Sequence, residues 1–439
     1  MSIMHSGATR RAISQSRLLI TSIMASKGIP GLSISVGVNG KAVWSEGFGF
    51  ADIENGVKMT EDSLVRIGSI SKMVTTLAAA KLMENGKLNI DEPIQKYLPN
   101  FPEKHWNGEK VTITTRHLMN HTSGLRHYRS SSEWNQAIAS TGGAQSTTLP
   151  SAIVDAIACR SLIPGKALPP EFYIRKTYSS VLDAFELFQD DPLIFKTGCG
   201  FSYSSMGWIL ISGIIESLVE KNFTEHMRDI LDELGLEDTV IETNEAILLD
   251  RARFYTRDYA GNLINSPYID VSWKAGSGGF MSTTGDLLKL AHIFLNSYWS
   301  NSDLKDQTLG YLKSKTVKQL WTRHPKGSDE CGTYGLGCMS NIGDISFDPY
   351  TMPCHYILHT GRGVGFGAVV HITLEGEDSL SGENMQFTTN QNRKGSNEDH
   401  APCFEEMESK ERRAVSVAML ANLENFDLQQ IGLKIATFF

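Results

Sequence analysis

Arg66-Ile-Gly-Ser69-Ile-Ser-Lys72, running straight into Met73-Val-Thr-Thr-Leu-Ala-Ala-Ala-Lys-Leu-Met83, is the stretch on which the reading of this sequence turns. In its second half Val74, Leu77, Ala78 and Leu82 recur near helical spacing, and Gly86 supplies a stop. Ser69 then stands at or just before the first turn, with Lys72 three positions on and on the same helix face. A serine hydroxyl is a weak nucleophile without an adjacent base. A lysine amine with its ordinary pKa of about 10.4 is protonated at neutral pH. Burial and the positive end of a helix both disfavour that ammonium. Ser-x-x-Lys at a helix start therefore predicts a nucleophile and its base within one turn. A second copy, Ser302-Asp-Leu-Lys305, sits in a polar run with no apolar helix behind it and is read as surface sequence.

The rest of the chain sets the context for that pair. Of 439 residues, 41% are hydrophobic and 21% charged, as in an ordinary globular protein. A net charge of −8 with no lysine or arginine block argues against a nucleic-acid partner. Six cysteines are scattered with no C-x-x-C, which is neither a disulfide framework nor a zinc site. No apolar run is long enough for a transmembrane span. The chemistry read from Ser69 and Lys72 needs no metal and no cofactor. The first 28 residues hold Arg10, Arg11, Arg17 and Lys27 and no acid. That pattern suits a transit peptide, but the preferred reading is an amphipathic helix, Ile13 to Met24, feeding a strand.

Leu32 to Val38 alternates apolar and polar residues, and Lys41 to Phe50 follows across Asn39-Gly40, a strong hairpin signal. A short helix is expected to start within Val111 to Met119, followed by helices at Ser151 to Ala158, Val181 to Phe188 and Met206 to Val219, the last apolar nearly all round and so buried. The glycine-rich Ala275 to Gly285 run fits no phosphate-binding fingerprint and is read as a close backbone crossing beside the site. Strands are expected at Ala368 to Thr373 and Arg413 to Ala421, and helices at Asp286 to Leu295 and Leu428 to Phe439. Strands at both ends and helices between predict a mixed α/β (α+β) fold. In it an antiparallel sheet from both termini is flanked by helices, with a mainly helical region inserted. One domain, 8–439, is expected, with its α/β part at about 8–72 and 270–439 and its helical part at about 73–269. Loops are expected at about 129–178 and 375–412.

With these pieces in place, the sequence resembles the serine beta-lactamase and penicillin-binding-protein family, and within it the mitochondrial serine beta-lactamase-like proteins of animals. The resemblance rests on Val43 to Gly47, Arg66 to Lys72, Phe101 to Lys104, Gly108 to Val111, Ser123 to Tyr128, Asp191 to Leu193, Arg251 to Tyr255, Gly278 to Phe280 and His359 to Gly361. It begins near Arg10, which leaves little room for a leader. It implies three boxes. The first is Ser69 and Lys72. The second, Tyr-x-Ser, is Tyr203-Ser-Ser205, preferred over Tyr128-Arg-Ser130 and Tyr178-Ser-Ser180 because it precedes a long apolar helix. The third is His359-Thr360-Gly361, preferred over Lys196-Thr-Gly198, which lies in the turn before Tyr203. Arg362 replaces the small residue usual in that place. Its size is expected to narrow the cleft or select an acidic group, and its backbone N–H joins that of Ser69 in an oxyanion site. The resemblance implies an acyl-enzyme on Ser69 with Lys72 and Tyr203 as base and acid, and His359 orienting the substrate or tuning the other two. It implies a peptidase or amidase acting on a peptide or small acyl substrate, with a link to lipid metabolism. The alternatives are an esterase or transesterase, or a scaffold that self-assembles into oligomers or filaments. A mitochondrial location follows from the likeness, with the cytoplasm as the alternative.

Overall fold

Asn39 and Gly40 both take positive φ, 48° and 74°, as a two-residue type I′ hairpin turn requires. They join Gly31–Val38 to Lys41–Asp52 in a computed structural model that describes residues 6–130, 132–134, 136, 150–161, 168–300, 310–323, 334–341, 355–375 and 412–439. Among the described residues this hairpin belongs to a seven-stranded antiparallel sheet. The spatial order is Met339–Ser340, His355–Gly363, Phe366–Glu375, Arg413–Ala421, Gly31–Val38, Lys41–Asp52 and Val57–Lys58. The C-terminal strand thus lies against the N-terminal one, Leu32 opposite Ala421 and Val38 opposite Val415. This is the sheet from both chain ends that the strand pattern predicts.

Side-chain alternation gives the sheet two buried faces. Val415, Val417, Met419 and Ala421 face the cluster completed by Ile13 and Ile20 of the Gly7–Lys27 helix and Ile435 of the Gln429–Ala436 helix. Ala414, Ala418 and Leu420 face the opposite cluster, with Leu287, Ala291 and Phe294 of the Thr284–Trp299 helix. The serines of Leu32 to Val38 point to that second face, where Ser35 donates to Thr284 Oγ1 at 3.0 Å. The same cluster holds the Ser71–Glu84 and Ser205–Val219 helices. Eleven of the fourteen residues in Ser71–Glu84 are buried, so this helix is central and its polar side chains need internal partners.

Several expected elements differ in detail. Val111 to Met119 splits into a strand, Glu109–Val111, and a helix that waits until Thr115, because Thr114 and His117 form a capping box there. Val181 to Phe188 yields only a 3₁₀ turn, Asp183–Leu187. Phe185, Leu187 and Phe188 are all buried, and Phe188 leaves helical geometry at φ −153°. Tertiary packing overrides a helical pattern here. Helix Ser151–Ser161 runs past its expected end, and the N-terminal helix is longer than expected at both ends. The Ser302 to Lys305 sequence and most of 375–412 lie outside the described residues. Cys159, Cys199 and Cys338 are free, and among the described residues no helix is long and apolar enough to cross a membrane.

The glycine-rich run is a close crossing, as expected. A Cβ on Gly276 would lie 2.1 Å from Ser212 Oγ and 2.9 Å from Thr75 Oγ1. The closest approach is between the His355–Gly363 strand and the chain before Ser69. A Cβ on Gly361 would lie 1.9 Å from the Ile67 carbonyl oxygen, which is backbone and cannot swing aside. Gly361→Ala is therefore expected to destabilise the protein by about 1–3 kcal/mol or more. Chemical denaturation checks this: the midpoint falls while the slope stays at its wild-type value.

Candidate active site

The strand Val65–Arg66 hands the chain to a 3₁₀ turn, Gly68–Ile70, and then to the Ser71–Glu84 helix. Gly68 takes φ 49°, and a Cβ there would press on the Phe366 ring at 2.8 Å and lie 3.2 Å from the Arg362 backbone nitrogen. The turn thus presents half-buried Ser69 beside the backbone amide of Arg362. Lys72 is wholly buried. Its amine stands 3.1 Å from Ser69 Oγ and 3.3 Å from Ser205 Oγ, and donates to the Ser277 carbonyl at 2.8 Å. One amine therefore ties together three distant segments. Burial, helped by the nearby Lys274 cation, pushes the Lys72 amine well below the usual lysine range.

The second box is set by the N-terminus of the Ser205–Val219 helix. Ser204 caps it, accepting from Gly207 N–H at 3.3 Å and donating to the Arg126 carbonyl at 2.6 Å. The N–H groups of Ser204 and Ser205 donate to Nδ1 of His121 and of His127, at 3.0 and 3.2 Å. Both imidazoles are held below the usual histidine range by burial first and the Lys72 charge second, His127 at about 3. They accept as neutral rings. Tyr203 packs on His121 with ring centroids 4.3 Å apart, and its ring lies 4.9 Å from the Lys72 amine. His121 itself takes φ 62°, a conformation side chains seldom adopt.

The third box lies on the His355–Gly363 strand. His359 Nδ1 is 2.8 Å from the Thr360 carbonyl, which can only accept, so the proton sits on Nδ1. Nε2 then accepts from the Tyr334 hydroxyl at 3.0 Å. Burial, and then the Lys72 charge, holds His359 to about 3. This box therefore supplies an oriented neutral ring rather than a cation. Arg362 lines the same cavity as Ser69 and His359. Its guanidinium is half exposed and paired with Asp427 at 2.5 Å, so it is already engaged by an acid of its own chain.

Ser69, Tyr203, Ser205, His359, Thr360 and Arg362 line one cavity of about 320 Å³. Lys72 lies behind Ser69, and Gly361 is buried against Ile67. The rejected alternatives sort differently. Lys196 pairs with Glu109 at 3.6 Å, and the Tyr178 hydroxyl donates to Glu186 at 2.8 Å. Tyr128 is in the cavity wall, its phenol hydrogen-bonded to Ser205 and Ser277 and raised above the usual tyrosine range, chiefly by burial. Sequence reasoning set this tyrosine aside and missed Tyr334, His121, His127 and Lys274. Only Tyr128 carried a signal, its Tyr-x-Ser match. Behind the wall Arg66 makes a fork to both carboxylate oxygens of Glu242, at 2.7 and 2.8 Å, and donates to the Val364 carbonyl at 3.0 Å. Among the described residues no cluster of three or more metal-ligating side chains occurs.

A family model described as Beta-lactamase matches residues 17–423. The mouse serine beta-lactamase-like protein LACTB, mitochondrial, is 34% identical over 467 residues, 98% of this chain and 80% of that protein. Among solved structures, the octameric penicillin-binding protein homologue from Pyrococcus abyssi superposes with a TM-score of 0.63 at 21% identity, covering 96% of this chain and 76% of that one. A D-stereospecific amidohydrolase from Streptomyces sp. gives 0.60 at 18% identity, covering 97% of each chain.

The electrostatics predict a simple pH profile. Lys72 loses its proton below the usual lysine range, while His127 and His359, near 3, are already neutral. The rate at which an electrophile labels Ser69 should rise with pH as Lys72 deprotonates and level off well below pH 10.5, without an inflection from these histidines between pH 5 and 8. Labelling by an alkyl fluorophosphonate across that range, quenched at short times, reads the profile.

Proposed function

This chain belongs to the beta-lactamase family of serine hydrolases, and from that premise we propose that Ser69 attacks a carbonyl carbon and forms an acyl-enzyme. The observation that carries the reading is the buried Lys72 amine 3.1 Å from Ser69 Oγ. The Ser277 carbonyl commits one amine N–H, and both serine hydroxyls can donate, so a neutral amine can turn its lone pair to Ser69. Lys72 takes the serine proton as the new C–O bond forms. Tyr203, whose ring lies beside that amine, passes a proton to the leaving group. The N–H groups of Ser69 and Arg362 hold the developing oxyanion, a contribution of about 10²–10³ in rate per donor. Water then hydrolyses the ester by the reverse proton path. His359, fixed by Tyr334 and the Thr360 carbonyl, orients the substrate edge rather than titrating.

For substrate we propose a peptide or small acyl amide, with an esterase or transesterase as the second reading, because the Ser69 chemistry serves either. A mitochondrial location is proposed on the likeness to the mouse protein, and a role in lipid metabolism only on the family resemblance of the sequence. Self-assembly is proposed on the same footing as the octameric Pyrococcus abyssi neighbour, and light scattering of the full chain tests it.

Two measurements test the chemistry. Ser69→Ala should abolish fluorophosphonate labelling, and Lys72→Met should slow it by about 10²–10⁴. Labelling of the Ser69→Ala protein at the wild-type rate would end the assignment. A panel of acyl peptides against short-chain esters then ranks the readings: faster turnover of the peptides supports the first, and hydrolysis confined to esters supports the second.

A further inference from the structure

Lys274 is the cation that the chemistry above leaves unused. It closes the 3₁₀ turn Ser272–Lys274, lies in the cavity wall beside Ser277 and is only 5% exposed. Its amine stands among three rings, 4.8 Å from the centroid of Phe172, 5.2 Å from Trp273 and 5.7 Å from Tyr128. Among the described residues the amine meets no hydrogen-bond acceptor and no carboxylate within 4.0 Å. Buried ammonium groups are normally paired, because an unpaired one keeps its full desolvation cost.

The surrounding charges explain why no internal partner reaches it. Arg66 is the neighbouring cation, Lys72 is held well below the usual lysine range, and His127 is neutral. The acids that act on it are Glu242, Asp270 and Glu171. Each is already engaged: Glu242 by Arg66 at 2.7 Å, Glu171 by Arg126 at 2.6 Å, and Asp270 by Thr177 at 2.7 Å. The Tyr128 phenol is turned to Ser205 and Ser277 and stays protonated. Burial, then Arg66, lowers the Lys274 amine to about 7. The other cations at the cleft are spent as well, Arg362 on Asp427 and Arg66 on Glu242. Phe172, beside Lys274, packs with Ile269, Val271 and Val364 in an apolar stretch of the cavity wall.

We propose that Lys274 is the recognition point for a carboxylate on the substrate, so that this cleft takes acyl compounds with an apolar body and an anionic group, held beside Ser69. The aromatic rings favour the charged amine, and the incoming carboxylate supplies the partner that the fold withholds. The proposal rests on reading the cleft as the substrate site. Its test therefore measures binding rather than turnover.

The probes are hexanoate and hexanamide, nearly equal in shape and different in charge. Their binding to the full chain is measured by calorimetry at pH 6 and pH 8.5, for the wild type, Ser69→Ala and Lys274→Met. At pH 6 hexanoate should bind at least about tenfold more tightly than hexanamide, the scale of a hydrogen bond to a charged group. Raising the pH to 8.5 should weaken hexanoate binding toward the hexanamide level, by at most about 30-fold, the fall in protonation of an amine that titrates near 7. Ser69→Ala should match the wild type. Lys274→Met should lose both the preference and the pH dependence while binding hexanamide as the wild type does. Equal binding of the two probes by the wild type at pH 6, no hexanoate binding there, or a preference that survives in Lys274→Met would overturn the proposal. Intact hexanoate binding with an unreactive Ser69 would instead count against the acyl-enzyme reading alone.

Discussion

Everything at this site depends on taking one lysine amine out of water. Lys72 sits in the first turn of a helix that is buried on nearly every side, so its amine has no solvent to fall back on. A charged amine there is expensive and a neutral one is not. The three partners suit the neutral form, since one carbonyl takes a proton and two hydroxyls can give or take one. The partners come from the turn before the helix, the start of the Ser205–Val219 helix and the glycine-rich run. The fold must therefore close around the amine before any chemistry is available.

That requirement explains features that look unrelated in sequence. Gly276 lets the glycine-rich run lie against Thr75 and Ser212, which brings the Ser277 carbonyl to Lys72. Gly361 lets the third-box strand touch the backbone before Ser69. Arg66, one residue ahead of the turn's N-cap, is anchored by Glu242 and by the Val364 carbonyl, so the chain enters the turn from a fixed direction. Removing one partner of so buried a pair typically costs about 3–5 kcal/mol. The imidazoles of His121, His127 and His359 all accept hydrogen bonds as neutral rings. Neutral rings around a neutral amine keep the site free of the repulsion that four cations in one cavity would bring.

Much of this was legible beforehand, and the reason is local. The Ser-x-x-Lys spacing, the Asn-Gly turn and the apolar run after Tyr203 each fix geometry within a few residues, and the structure places those elements where the pattern puts them. The antiparallel sheet from both termini was legible for the same reason. What was not legible needed contacts between segments well separated along the chain. Lys274 is an unremarkable lysine until Tyr128, Phe172 and Trp273 surround it. Tyr334 gains meaning only through His359 on a neighbouring segment. The pairing of Arg362 with Asp427, sixty-five positions on, is likewise invisible in the sequence around the third box. The 3₁₀ turn at Asp183–Leu187 is also set by packing, because three buried side chains outweigh the helical pattern.

The most direct test is the protonation state of Lys72 itself. The full chain, labelled with ¹⁵N at lysine side chains, allows its Nζ resonance to be titrated by NMR and assigned with a Lys72→Arg variant. A midpoint well below the 10.5 of an ordinary lysine is the predicted result. A midpoint at that ordinary value would contradict the account, because a permanently charged Lys72 has no lone pair to offer Ser69.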